Sequence, residues 1–570
     1  MRLFTTIRPY RREWLRPDLF AAFTVWAVLV PEALAYATIA GVSPIVGLYA
    51  APGALLLYAA IGTSRNLITG ANAAAAALSA AVVGGIVAGD SGAFAQTTAA
   101  LAICIGIIAV VAGIARLGFV VNFISIPVLR GFITGLALTI IAGQVPHLFG
   151  VQSGDGDFFD RVWVFITNLN EIDPVTAAIG LGSLGFILYC RYFHPAIPGS
   201  LISVVVGIIV VTAFDLGANG VAIIGPIEGG LPSPSIPEAG FADLGALVIG
   251  AAGVMVVGFA EGLASAGANP SDDEKVDPNR ELVGMGMANV SGGLAGGFVV
   301  TGSVSKTAIN AAAGARSQLV GLVVAALVVL TMLFFSGVFE SLPEAALAAV
   351  VIAALIHVVD VHSLRRYYRI LDYGNELNPA NRPDFIAAIA ALLGVMVFDI
   401  LPGLFIGIAA SLALLLYRSS MPHVARLGEL RNEPGHWGDV KRHAGVREHP
   451  GVLVVRIEAA IFFANADQIR SIVTGMIGKS TRAVVLDVET VPFIDLTGAL
   501  MLQSLSSKLE REGMKMAIAR DVGQVEDLIR STGMEDLLEN AYVSIEQAVA
   551  EVSPKGEMSE GEPSGISHDQ

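Results

Sequence analysis

The chain has 570 residues, of which 54% are hydrophobic and only 15% charged, with a formal net charge of −15. A soluble chain of this length carries about 25% charged residues, so the composition excludes an ordinary soluble protein and points to a polytopic helical membrane protein. The net charge averages two very different regions and identifies no partner; no nucleic-acid partner is expected.

Residues 1–18 are polar and basic, with Arg2, Arg8, Arg11, Arg12 and Arg16. The first apolar run continues into a full span, so no cleavable signal is expected. Apolar stretches then fall near 19–40, 45–61, 71–88, 97–115, 120–145, 174–190 and 198–214. A second set falls near 243–265, 283–298, 303–314, 317–337, 343–359, 383–399 and 402–418. This predicts a transmembrane domain over 19–420 with seven spans and seven. A span needs about 20 apolar residues, so the short members are expected to be broken or tilted. Cys104 and Cys190 lie in apolar runs and support neither a disulfide framework nor a metal site.

Loop charges set the orientation. With a cytoplasmic N-terminus, the inner loops hold Arg65, Arg116, Arg191, Lys275, Arg280, Arg316, Arg365, Arg366, Arg369 and Arg418. The outer loops hold almost no Lys or Arg, Arg161 being the exception. That bias predicts an even number of spans with both ends inside. Seven is odd, so the second half has inverted topology relative to the first, a recurring transporter plan.

Two short stretches resemble each other across the halves. One is Thr69-Gly70-Ala71-Asn72 followed by alanines; the other is Thr301-Gly302-Ser303-Val304-Ser305-Lys306. Paired short, Gly-interrupted segments at matching positions are the sequence pointer to a site built from broken helices. Helix N-termini carry free N–H groups and partial positive charge, so such a site prefers anions. Gly70 and Gly302 let the backbone approach closely or take positive φ. The plainer alternative is tight helix packing through small residues. Lys306 lies within a span, where an ammonium needs a cavity or a partner; it is expected to add positive charge beside the anion, to pair with a carboxylate, or both. Ser303 and Ser305 can donate to an oxyanion or bond back to helix carbonyls. Glu32 and Glu261 are intramembrane carboxylates, read as coupling-ion residues against the alternative of structural ion pairs or caps. Tyr36 is read as a substrate contact or as core packing. Asp399 is expected at a helix end, and His147, His194 and His357 at interfaces.

After residue 420 the texture changes. Val452–Ile457, Ala483–Val488 and Met514–Ala519 read as buried strands, with helical patterns near 465–478, 497–512 and 522–531. Alternating strands and helices predict a small α/β domain over 440–550. The polar end, 551–570, is expected to be disordered.

Several runs resemble the SulP family of sulfate-permease-type anion transporters with a C-terminal STAS domain. They are Val30-Pro31-Glu32-Ala33-Leu34-Ala35-Tyr36-Ala37, Ala40-Gly41-Val42-Ser43-Pro44 with Gly47-Leu48-Tyr49, and Gly62-Thr63-Ser64-Arg65. Further on come Asn279-Arg280-Glu281-Leu282 with Gly284 and Ala288-Asn289, then Phe493-Ile494-Asp495-Leu496-Thr497-Gly498. The resemblance implies fourteen spans in two inverted repeats, a core and a gate, an elevator-like movement of the core, and a homodimer. It also implies that Ala71, Asn72, Ser303, Val304, Ser305, Lys306 and Tyr36 surround the substrate. In relatives that use sodium, an acidic residue matching Glu261 helps hold the ion, with Ser265 one turn later. Three positions depart from the pattern. Glu32 stands where the family usually has Gln, Ala71 where it has Pro, and Lys306 where many members have Arg. In the STAS domain Thr497, after Asp495, matches the position phosphorylated in soluble relatives; capping of the helix is the ordinary alternative.

No nucleophile–base pair, P-loop or metal-ligand cluster is present in the sequence, so no enzyme activity, cofactor or metal is expected. The reading is a multi-pass protein of the cytoplasmic membrane, with its N-terminus and STAS domain cytoplasmic. It moves a small anion, sulfate-like in the first instance, with a proton as coupling ion, because two buried carboxylates near an anion need a proton or a cation. The rivals are a sodium-coupled bicarbonate importer, an uncoupled exchanger or channel, and an anion sensor acting through STAS. Val304 stands where sodium-using relatives offer a hydroxyl, which weighs against sodium.

Overall fold

A bilayer offers no partner for backbone N–H and C=O groups, so the apolar runs close their hydrogen bonds internally as helices. In the computed structural model the described residues are 3–553, except 88–90, 120–124, 155, 195–196, 228–229, 238–243, 269–275, 357, 361, 363, 367–381, 432, 434, 444 and 521–522. The chain divides into two units, Met1–Leu412 and Ala413–Gln570. The first half of unit one contains α1 (Leu15–Ile39), α2 (Ile45–Ile61), β1 (Thr69–Gly70), α3 (Ala73–Ile86), α4 (Ser91–Ile114), α5 (Ile126–Phe149), α6 (Phe158–Thr167), α7 (Pro174–Phe193) and α8 (Gly199–Ala213). The second half contains α9 (Leu244–Ala268), α10 (Pro278–Leu294), β2 (Thr301–Gly302), α11 (Val304–Ala312), α12 (Leu319–Phe334), α13 (Glu344–Leu355), α14 (Arg382–Phe398) and the start of α15 (Ile400–Ser420), whose residues 413–420 are counted in unit two.

Each of the fourteen predicted stretches contains a helix, and α6 is an addition. Its exposed face carries Phe159, Trp163 and Ile166 at helical spacing, a face suited to a membrane interface. Helix packing follows the inverted repeat. The pairs α4–α10 and α2–α12, α5–α14 and α7–α13, and α1–α11 and α3–α9 are in contact. Exchanging first-half for second-half elements turns each pair into its mate, as inverted repeats require. Small residues allow the closest approaches. A Cβ on Gly286 of α10 would stand 2.7 Å from the carbonyl oxygen of Gly106 in α4.

Helices α3 and α11 have 14 and 9 residues. At 1.5 Å per residue they reach about 21 and 14 Å, short of a hydrocarbon core of roughly 30 Å. Each is preceded by a two-residue strand, so the shortness expected of the paired segments is real. Cys190 is buried and Cys104 partly so; neither is in a disulfide. His147 ends α5 and faces Glu344 at 3.5 Å, and His194 caps the end of α7. Asp399 stands between α14 and α15 with φ +72°, its carboxylate accepting the Ile400 N–H. His357 and Lys275 lie outside the described residues.

Unit two is a sheet sandwiched by helices. The order is β4 (Trp437–Asp439), β3 (Val424–Leu430), β6 (Val452–Ile457), β7 (Ala483–Asp487), β8 (Lys515–Ala519), β9 (Ala541–Tyr542), with β5 (Val446–Arg447) also on β3. Strands β6 to β9 are parallel and β3 is antiparallel to β6. Alternation along β6 sends Leu453, Val455 and Ile457 to the face covered by α16 (Ala466–Met476), α17 (Leu496–Arg511) and α18 (Gly523–Ser531). Val452 and Val454 face α19 (Ile545–Val552) on the other side. The three predicted strands and three predicted helices are all present; β3, β4, β5, β9 and α19 are additions.

The cap of α17 is Asp495, not Thr497. Its Oδ1 accepts the Gly498 N–H at 2.8 Å and its Oδ2 the Phe463 N–H at 2.9 Å. Thr497 is exposed one residue into the helix, because the extended backbone that lets a side chain cap belongs to residue 495. Asp495→Ala is therefore expected to destabilise this unit by about 1–2 kcal/mol, while Thr497→Ala has little effect. Thermal unfolding of the purified full chain checks both.

Candidate functional site

The two strands cross as one antiparallel pair, with Thr69 opposite Gly302 and Gly70 opposite Thr301. Extended backbone at this depth must find partners within the protein. Asn289 supplies two: its Oδ1 accepts the Val300 N–H at 3.0 Å and its Nδ2 donates to the Val300 carbonyl at 2.8 Å. The Ser303 N–H reaches the Ile68 carbonyl, and the Ile68 N–H reaches Thr307 Oγ1. Gln318 Nε2 donates to the carbonyls of Ser64 and Leu67. Glu281, fully buried, accepts from Tyr58 and from the amide and hydroxyl of Thr63, tying α10 to the start of this segment.

The two glycines differ in their surroundings. A Cβ on Gly302 would lie 2.8 Å from Gly262 Cα and 2.8 Å from Leu67 Cδ1; on Gly70 the nearest atom would be 3.7 Å away. Neither glycine has positive φ. The expectation of close backbone approach is thus met at Gly302 and not at Gly70. Gly302→Ala is expected to lower both stability and transport sharply, whereas Gly70→Ala is expected to be close to neutral. Melting temperature and uptake by the reconstituted variants distinguish the two.

From the crossing, α3 and α11 begin. Asn72 caps α3, with Oδ1 accepting the Ala74 N–H at 2.8 Å, and its Nδ2 donates to Glu261 Oε1 at 2.8 Å. Ser303 caps α11, accepting the Lys306 N–H at 3.4 Å, and its hydroxyl lies 3.3 Å from that of Ser305. Both caps line one cavity of ≈ 280 Å³, together with Tyr36, Glu261, Val304 and Ser305. Its far wall is apolar and comes from Ile133, Leu136 and Ala137 of α5.

Lys306 is 1% exposed and does not line that cavity. Its Nζ donates to Glu32 Oε2 at 2.7 Å and to the Ala71 carbonyl at 3.0 Å, 5.3 Å from the centre of the Tyr36 ring. The structure thus places the lysine with a carboxylate, one of its two expected roles. Ser265 is 1% exposed and donates back to the Glu261 carbonyl at 2.7 Å, outside the cavity lining. The wall from α5 escaped the sequence reading because it is apolar. Nothing in its pattern separates it from any other buried face.

The charges nearly cancel. Lys306 contributes +1, Glu32 and Glu261 contribute −2 when ionised, and two helix starts contribute about +0.5 each. The ionised site is therefore about neutral, and adding one proton makes it about +1.

The family model described as the sulfate permease family matches residues 15–375, and that of the STAS domain matches residues 443–551. The chain is 34% identical over 542 residues to the probable sulfate transporter MT1781 of Mycobacterium tuberculosis, covering 94% of each. It is 28% identical to sulfate transporter 4.1, chloroplastic, of Arabidopsis thaliana, covering 96% of this chain and 81% of that one. In fold it is similar to the murine Slc26a9 anion transporter in the inward-facing state, with a TM-score of 0.84 and 23% identity over 95% of this chain and 92% of that one. The transmembrane domain of the cyanobacterium bicarbonate transporter BicA matches 70% of this chain and 98% of its own, with a TM-score of 0.59 and 23% identity.

Proposed function

The chain belongs to the sulfate permease family of membrane anion transporters, and we propose that it is a proton-coupled symporter of a small oxyanion, sulfate in the first instance. The observation that carries this reading is the buried Lys306–Glu32 pair beside two capped helix starts. With Glu32 ionised, Lys306 is held by a carboxylate of the protein. Protonating Glu32 releases Lys306 and turns a neutral site into a cationic one. Proton and anion then bind together and leave together, which is symport. Asn72, Ser303, Ser305 and Tyr36 supply the polar contacts to the oxyanion and Val304 lines the cavity beside them, while Ala71, outside the lining, holds Lys306 through its carbonyl.

Sulfate as first choice is supported by the names of the relatives from Mycobacterium tuberculosis and Arabidopsis thaliana. Sodium coupling is less well supported, because the Ser265 hydroxyl is turned to its own helix and Val304 presents a hydrocarbon to the cavity. The core of α1–α4 and α9–α12 carries the site in an elevator-like movement against the gate of α5–α8 and α13–α15, in a homodimer. The N-terminus and the STAS unit, with Asp495 and Thr497 as regulatory candidates, are cytoplasmic.

Uptake into proteoliposomes tests the reading, with labelled sulfate, bicarbonate, nitrate, chloride and a C4 dicarboxylate. Sulfate accumulation is expected when the lumen is alkaline relative to the outside, with or without sodium. Uptake that needs sodium and ignores the pH gradient would overturn proton symport.

A further inference from the structure

Glu32 and the two helix starts open onto different cavities. Glu32 is not part of the lining of the hollow formed by Asn72, Ser303 and Glu261. It lines a second cavity of ≈ 360 Å³ with Thr24, Val28, Arg191 of α7, Ser200 of α8 and Ile309 of α11. Thr24, Val28 and Glu32 are four residues apart, so they form one stripe along α1 about 12 Å long. Ser305 and Ala354 line both cavities, which adjoin at these two residues.

We infer that the second cavity is the proton's route to Glu32, separate from the route of the anion. This rests on the proton-coupled reading above. A proton needs only water and hydroxyls, and Thr24, Ser200 and Ser305 supply hydroxyls along the way. An anion entering here would find the Glu32 carboxylate and two cations already engaged, Arg191 donating to the Ala353 carbonyl and Lys306 donating to Glu32 and Ala71. The charged and titratable groups around Glu32 are Lys306 of α11, Tyr36 on its own helix, Arg191 of α7 and, across the anion cavity, Glu261 of α9. Of the other helices packed on α1, α3, α8 and α12 contain no charged residue. Helix α2 carries two tyrosines, Tyr49 and Tyr58, the second bonded to Glu281, and Glu344 of α13 faces His147. Separate routes let Glu32 exchange its proton while the anion cavity is occupied.

The test reconstitutes the full chain and uses radiolabelled sulfate in two assays: accumulation driven by a pH gradient, and sulfate–sulfate exchange at equal pH. Val28→Phe fills the second cavity and Ile133→Phe the first. Val28→Phe is expected to slow accumulation about tenfold or more and leave exchange within about twofold; Ile133→Phe is expected to slow both. If Val28→Phe slows both equally, the second cavity carries the anion. If it accumulates sulfate like the wild type, the cavity carries nothing; either result overturns the inference. Ser200→Phe repeats the test should Val28→Phe not fold. A wild type that exchanges sulfate but ignores the gradient overturns proton coupling itself, a result distinct from either variant outcome.

Discussion

Lys306→Ala is expected to reduce sulfate uptake by about two orders of magnitude and to destabilise the membrane unit. The transport loss follows from removing the one cation that a protonated Glu32 would free. A hydrogen bond to a charged group contributes about 1.5–3 kcal/mol, or about ten- to 150-fold in affinity. The stability loss has another cause. Glu32 is 6% exposed, and removing one partner of a buried pair costs about 3–5 kcal/mol because the other charge is left uncompensated. The two effects separate in a double variant. Lys306→Ala with Glu32→Gln leaves no unpaired charge, so most of the melting temperature should return while uptake stays low. Uptake near wild type in either variant would exclude the charge role. A double variant that recovers both stability and uptake would make the pair purely structural.

Glu32→Gln alone is expected to keep stability and lose coupling. Gln matches Glu in size, and its amide oxygen can accept from Lys306 Nζ where Glu32 Oε2 now does at 2.7 Å. With Glu261 ionised the site then stays about +1, with no proton to gain or lose at residue 32. Sulfate should bind more tightly, exchange should continue, and a pH gradient should no longer drive accumulation. Measuring initial uptake rates across external pH values, with and without the gradient, decides the matter. A pH profile like that of the wild type would exclude Glu32 as the proton carrier and move the role to Glu261, which meets Asn72 rather than the lysine.

Much of the membrane fold was legible in one dimension. Each predicted apolar stretch contains a helix because a bilayer demands length and hydrophobicity, both local properties. The start of α10 slipped at a polar end. Helix α10 begins at Pro278, five residues before the expected 283, since Asp277 caps it and Pro278 suits the first turn. The amphipathic α6 was missed because it is too short and polar to read as a span. In unit two, β3 and α19 were missed because their apolar residues are shared among polar ones and read as strand or helix only against a sheet.

At the site, the residue types were visible and the partnerships were not. A lysine, two glutamates and two Gly/Ser/Thr/Ala segments stand out wherever the surroundings are apolar. The sequence by itself determined a polytopic anion transporter built from repeated broken helices with an α/β unit behind it. Hydropathy, loop charge and motif spacing carry that much without any contact being known. Only the tertiary structure decided that Lys306 bonds Glu32 and not Glu261, that Gly302 is crowded and Gly70 is not, and that Glu32 and the helix caps face separate cavities. Those are facts about distances between residues from about 40 to more than 200 positions apart, and they depend on how α1, α3, α9 and α11 cross.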